Sequence, residues 1–171
     1  NRILLTDRIE TAITRAGLHG RSVTIAVADL DHFKVINESL GYAAGDRLLK
    51  LAAERLQSCV HAEDTVARLG GDGFALVFAD DVSERLLSNE IKGIVDAFGK
   101  PFVLDDRELF VTVSIGVVFS PQDGNDVETL LTNAESAMYR SKDQGRNTFQ
   151  TYAAEMNDRI NERLELDGRL R

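Results

Sequence analysis

Two spacings of apolar residues alternate along this chain. Leu5, Ile9, Ala12, Ile13 and Ala16 recur at helical spacing, with Gly17 placed to end that helix. Val23-Thr24-Ile25-Ala26-Val27-Ala28 is short, apolar and rich in β-branched residues, which predicts a buried strand running into Asp29-Leu30-Asp31. A short helix is predicted over 32–38, then a loop bracketed by Gly41 and Gly45. Leu48, Leu49, Ala52 and Leu56 next mark an amphipathic helix over 44–59. Val66–Leu69 and Phe74–Phe78 are two apolar runs separated by Gly70-Gly71, a hairpin signal because a tight primed turn needs positive φ. Ser83 is placed to cap a helix whose apolar face is Leu87, Ile91, Ile94, Val95 and Phe98, stopped by Gly99 and Pro101.

Phe102-Val103-Leu104, the turn Asp105-Asp106-Arg107 and the run 109–119 read as a second hairpin, with Val111, Val113, Ile115, Val117 and Phe119 alternating onto one face. Asp126 can cap a helix bearing Val127, Leu130, Leu131, Ala134, Ala137 and Met138; Gly145 ends it and 147–150 suits an edge strand. This order predicts an α+β fold with a mixed or antiparallel central sheet flanked by helices, not a doubly wound parallel sheet. From residue 153 charges dominate over a thin stripe of Met156, Ile160, Leu164 and Leu170. Residues 1–152 therefore read as one domain and 153–171 as a charged helical linker toward another.

Composition narrows the classes. With 171 residues and 43 % hydrophobic content the chain can bury a full core. No run approaches the roughly 18 apolar residues of a membrane span, and no signal peptide is visible at Asn1-Arg2-Ile3, an abrupt start expected of a fragment. Cys59 is the single cysteine, which suits a reducing, cytoplasmic setting, any membrane attachment being left to the rest of a longer protein. A net charge of −8 argues against nucleic-acid binding, yet leaves room for a phosphorylated ligand bridged to carboxylates by metal. His19, His32 and His61 lack zinc-site spacing.

Taken alone, Gly70-Gly71-Asp72 is an ordinary surface turn in most chains. Here it sits among three stretches in a fixed order: Asp29-Leu30-Asp31-His32-Phe33-Lys34-Val35-Ile36-Asn37 continuing to Gly45-Asp46, then Arg68-Leu69-Gly70-Gly71-Asp72-Gly73-Phe74, then Met138-Tyr139-Arg140-Ser141-Lys142-Asp143-Gln144-Gly145-Arg146-Asn147. Together they resemble the GGDEF domains, the diguanylate cyclases, over nearly all of residues 1–150. Val113-Ser114-Ile115-Gly116-Val117 and the Asn1-Arg2 start are lesser matches.

The resemblance implies a palm-like fold shared with nucleotide cyclases. It also implies condensation of two GTP molecules to cyclic di-GMP and two pyrophosphates across an antiparallel homodimer. Asp29 and Asp72 match the catalytic, metal-holding carboxylates, with the Leu30 carbonyl as a further ligand to Mg²⁺ or Mn²⁺. Hard oxygen donors and phosphates suit such ions. The amides of His32 and Phe33, with Lys34 and the Gly70-Gly71 turn, match positions around the phosphates. Lys142 and Arg146, four apart near a helix end, match the triphosphate contacts, and Asn37 and Asp46 the guanine-reading positions. Asp31 reads equally as a helix N-cap or a supporting residue.

Three departures stand out. Gly73 replaces the signature's usual glutamate, which implies impaired turnover more than lost GTP binding. His61-Ala62-Glu63-Asp64 falls where the family carries its Arg-x-x-Asp product-inhibition site, so His61 and Asp64 make a degenerate version without the guanidinium fork. Tyr42 follows Gly41 where histidine is common. The tail resembles the segment joining a GGDEF domain to a following EAL phosphodiesterase domain. The alternative reading is thus a non-catalytic GTP-sensing domain that regulates an attached EAL enzyme.

Overall fold

A computed structural model of the protein describes residues 2–79 and 84–153. The elements in order are α1 (Arg2–Leu18), β1 (Val23–Leu30), α2 (Phe33–Leu40), α3 (Tyr42–Cys59), β2 (Thr65–Gly70), β3 (Gly73–Phe78), α4 (Glu84–Ala97), β4 (Phe102–Leu104), β5 (Arg107–Leu109), β6 (Val113–Ser120), α5 (Val127–Asp143) and β7 (Phe149–Thr151). Five strands form one sheet in the order β2-β3-β1-β6-β7. All its pairings are antiparallel except β6–β7, which is parallel. The α+β class and mixed sheet are those the residue pattern predicts.

The central strands are apolar on both faces because helices cover both. Ala26, Ala28, Leu30, Phe74, Leu76, Val113, Ile115 and Val117 face the cluster built with α3 and α4 through Leu48, Leu56, Ile91 and Ile94. Ile25, Val27, Ala75, Val77 and Val118 face Leu5 and Ile9 of α1 and Leu130, Leu131 and Ala134 of α5. β1 lies in the middle of the sheet, so its C-terminal Asp29-Leu30 is carried by the most firmly held strand.

Several boundaries differ from expectation. The second hairpin is two separate things: β4 and β5 pair only with each other around left-handed Asp105 and Asp106, while β6 leaves them to pair with β1. Arg47 of α3 grips the Asp105 carboxylate through both guanidinium ends, so the small hairpin is tied to α3 and not to the sheet. Gly17 does not end α1; the chain turns at Gly20, with φ of 62°. Gly45 lies inside α3, not in a loop, and the helix carries glycine there because a Cβ would fall 1.8 Å from Asn37 Oδ1. The Ser83 cap and the linker from 154 onward lie outside the described residues.

Arg55 was not legible as special from the sequence. Its guanidinium lies 3.6 Å from the centroid of the Phe102 ring and donates to the carbonyls of Ala97, Lys100 and Pro101, closing the end of α4 against α3.

The closest approach of backbones is at Gly116 in β6. A Cβ there would sit 2.0 Å from Ala134 O and 2.3 Å from Met138 N of α5. Backbone atoms cannot rotate aside, so α5 would have to lift from the sheet. Gly116→Ala is expected to lower unfolding free energy by about 1–3 kcal/mol or more, as overpacking does. Urea denaturation of both proteins checks this.

Candidate active site

The β1–β3 register sets Asp29 opposite Gly73. Asp72, the preceding residue, is therefore carried back over the end of β1, and its carbonyl accepts from Leu30 N–H at 3.3 Å. β2 ends at Gly70 and β3 begins at Gly73, so the two turn residues are Gly71 and Asp72; Asp72 lies in the turn and not past it. Gly71 has φ of 53° while Asp72 is not left-handed, the sign pattern of a turn that wants glycine at its first central position. Gly70 has φ of 114° at a register shift in β2. Arg68 donates to Gly71 O at 2.7 Å and stacks over Phe74, which braces the tip.

Asp29 and Asp72 come together as neighbouring charges, and Lys142 reaches between helix and sheet to place Nζ 2.7 Å from Asp29 Oδ2. The Asp29 carboxyl is pushed up to about 6 from its ordinary 3.8. Burial is the largest cause; the hydrogen bond from Lys142 opposes it, and the Asp72 charge adds to it. A single ammonium thus only partly compensates two crowded carboxylates.

A hard divalent cation fits this donor set. Asp29, Asp72 and the Leu30 carbonyl offer oxygen only, and Mg²⁺ is commonly held by one or two carboxylates with phosphates and water completing its shell. Among the described residues no group of three His, Cys, Asp or Glu side chains is gathered for a metal. Protein ligands alone do not make a closed cage, so water or phosphate oxygens would complete the shell of an ion held here.

Around this centre, α2 begins at Phe33 with His32 in a left-handed conformation before it. No side chain caps this end, and the amides of His32, Phe33 and Lys34 have no acceptor among the described residues. Phe33 is buried, whereas His32 and Lys34 are exposed, and Lys34 lies 4.0 Å from Glu38 one turn on. Asn37 on α2 faces Gly45 of α3, the residue before exposed Asp46. Asn37 Oδ1 is buried and accepts no hydrogen bond from the described residues. A buried acceptor left unmet costs about 1–3 kcal/mol, so it is a place where a ligand donor is favoured.

The structure places further candidates. Asp31 does not cap α2: it is buried and accepts from Thr112 Oγ1, Ser114 Oγ and Asn147 N–H. Lys142 is in the last turn of α5 and Arg146 lies just beyond the helix in a left-handed turn, near the helix end as expected. Asp64, expected in a degenerate inhibitory site, accepts at each oxygen from the nearby backbone: Oδ2 from His61 N–H and Oδ1 from Ala79 N–H. The His61 ring turns to Glu90, 3.2 Å away.

Two cavities of about 460 and 480 Å³ lie elsewhere, one under α1 against Val23 and Phe78, the other between α4 and β7. Neither is lined by Asp29, Asp72, Lys142 or Asn37. The carboxylate centre lies at one end of the sheet, its Asp29 and Lys142 side chains mostly buried.

Residues 1–148 match the family described as diguanylate cyclase, GGDEF domain. The chain belongs to that family and has its nucleotide-cyclase palm fold. It is 40 % identical to an uncharacterized signaling protein of Caulobacter vibrioides, over 100 % of this chain and 21 % of that protein. It is 38 % identical to the bifunctional diguanylate cyclase/cyclic di-GMP phosphodiesterase MucR of Pseudomonas aeruginosa, over 97 % of this chain and 24 % of that protein. The chain thus spans about a quarter or less of the length of these two relatives. The solved GGDEF domain of TpbB (YfiN) from Pseudomonas aeruginosa superimposes with a TM-score of 0.89 at 30 % identity, covering 94 % of each chain. The protein is accordingly a GGDEF domain of cyclic di-GMP signalling, homologous to diguanylate cyclases and to proteins that carry phosphodiesterase activity.

The raised Asp29 value has two consequences. The fold favours the protonated form, so this contribution to stability is complete below about pH 4 and is lost as pH rises through about 6. Cation binding needs the ionised form and runs the other way. Divalent-cation-dependent GTP binding should weaken by about tenfold per unit below pH 6, as proton competition for one carboxylate requires. Calorimetry between pH 5 and 7.5 checks it; a flat profile would remove Asp29 from the metal site.

Proposed function

We propose that this domain binds GTP with Mg²⁺ or Mn²⁺ at the centre around Asp29 and Asp72, and makes cyclic di-GMP only slowly. The observation that carries the reading is the convergence of those carboxylates with Lys142 at the end of β1. Asp29, Asp72 and the Leu30 carbonyl would hold the metal, which when bound offsets phosphate charge and acidifies the attacking hydroxyl. Lys142 is then free to leave Asp29 for the triphosphate, with Arg146 as its fork-shaped companion. The free amides of His32, Phe33 and Lys34 receive the terminal phosphates at the start of α2, and the open Gly70-Gly71 backbone leaves them room. Asp46 accepts from N1–H and N2–H₂ of guanine beside the unmet Asn37 oxygen, which rejects adenine.

Each domain offers half a reaction. In a homodimer the 3′-hydroxyl of one GTP attacks the α-phosphate of the other, its oxygen–phosphorus bond replacing that to the departing pyrophosphate; the second linkage closes the ring. The feedback site is weak, because His61 lacks the guanidinium fork and Asp64 is committed to its own loop.

A second reading is favoured by Gly73: a GTP-sensing module that regulates an EAL phosphodiesterase joined through residues 153–171, in the cytoplasm. No nucleic-acid or membrane contact by this domain is part of either reading; among the described residues no helix is long and apolar enough to cross a membrane.

Gly73 decides between them. A Cβ there meets only ordinary contacts, at 3.6 Å or more, and lies 3.9 Å from Asp29 Oδ1. The backbone thus admits a side chain here, and a glutamate would bring a third carboxylate to the centre. Incubation with GTP and Mg²⁺ at dimerising concentration, followed by chromatography, should yield little cyclic di-GMP from the unmodified domain. Gly73→Glu should raise the rate at least about tenfold, in line with the roughly 10²–10³ carried by one preorganised electrostatic group. Its GTP affinity should change little. Brisk synthesis that Gly73→Glu leaves unchanged would make this an ordinary cyclase.

A further inference from the structure

We infer that Asp31 is a positioning residue for Arg146: its buried carboxylate holds the left-handed turn that carries Arg146 back against the end of α5. The inference rests on the GTP-site reading for its consequence, though not for its geometry.

Gly145, Arg146 and Asn147 have successive φ values of 104°, 65° and 51°. Two of the three carry side chains, which disfavour this region, so the turn persists only if its surroundings hold it. Local bonds help: Arg146 N–H donates to Ser141 O at 3.1 Å, and Ser141 Oγ donates to Thr148 O at 2.6 Å. The bond made on a strained residue from a distant part of the chain is Asn147 N–H to Asp31 Oδ2, at 3.1 Å.

Asp31 is built for such a task. It is 3 % exposed, its own N–H donates to Thr112 O at 2.9 Å, and Thr112 Oγ1 and Ser114 Oγ fix its carboxylate at 2.6 and 2.7 Å. Its orientation is thus fixed by Thr112 and Ser114, at the start of β6, independently of the turn. Two carboxylates at the end of β1 then grip the end of α5 from one side: Asp29 through Lys142 and Asp31 through Asn147. Arg146 lies between those two attachments in sequence. A purely structural carboxylate would stabilise the fold without regard to Arg146; a positioning one acts through it.

The test uses amide exchange by NMR and Mg-GTP calorimetry on the 171-residue chain. The acceptor of the Asn147 N–H is the Asp31 carboxylate, so loss of that bond should speed exchange of this amide. In the unmodified protein it should be protected by about a hundredfold, the order that a charge-assisted bond supplies. Free exchange there overturns the inference, whether or not any variant folds. In Asp31→Ala that protection should vanish, and GTP affinity should fall by about tenfold, similar to Arg146→Ala. The double variant should bind no more weakly than Arg146→Ala alone. Asp31→Asn should retain most affinity, because the Ser114 hydroxyl can turn to accept from the new amide and leave an oxygen for Asn147. Asn147→Gly, which removes the cost of positive φ, should recover part of the loss in Asp31→Ala. Additive losses in the double variant would show that Asp31 does not act through Arg146. An unmodified chain without GTP affinity would defeat the proposed function, while Asn147 exchange would still judge the role of Asp31.

Discussion

The antiparallel pairing of β1 with β3, with Asp29 opposite Gly73, is the constraint on which the site depends. It folds the tip of the β2–β3 hairpin over the end of the central strand and crowds Asp72 against Asp29. Two like charges at a partly buried position are costly, and the chain meets that cost with one ammonium from another layer. Shifting the register by one residue would turn the side chains to the opposite face and scatter the centre. Stability of the unliganded fold and readiness for a cation therefore oppose each other at Asp29.

The helix α5 makes the compensation possible. It lies so near β6 that only glycine fits at position 116, and this approach brings Lys142 within reach of Asp29. Its N-terminus is fixed by Asp126, whose side chain accepts from Thr129 N–H and Thr129 Oγ1 and is held below the usual carboxylate range by those bonds. Its C-terminal turn is held to Asp31. One helix thus links a packing restriction, a cap and two carboxylates into a single rigid frame for cationic side chains.

The departures from the family pattern have different physical weight. Gly73 removes a charge at a position that has room for it, so the backbone does not enforce its loss. Asp64 is kept by local hydrogen bonding even though the arginine that would give it a ligand is gone. Its retention is explained by the loop between α3 and β2 and the end of β3, with no need of a nucleotide.

What the sequence by itself determined was the set of elements and the cast of chemical groups. The continuous apolar run of β1, the alternation in β6, the helical period of α3 and α5, and the spacing of Asp29, Asp72 and Lys142 within motifs are local patterns, legible in the chain itself. The tertiary structure decided what those patterns leave open: that β6 pairs with β1 and not with β4, that position 45 is a helical glycine whose missing side chain leaves room for Asn37, and that Asp72 lies in the turn. It also decided that Asp31 reaches Asn147, 116 residues away, instead of capping the helix beside it. Each of these is a contact between segments far apart in sequence. A carboxylate next to a helix start has the same local pattern whether its partner is the nearest amide or one from the other end of the domain, and only packing chooses between them.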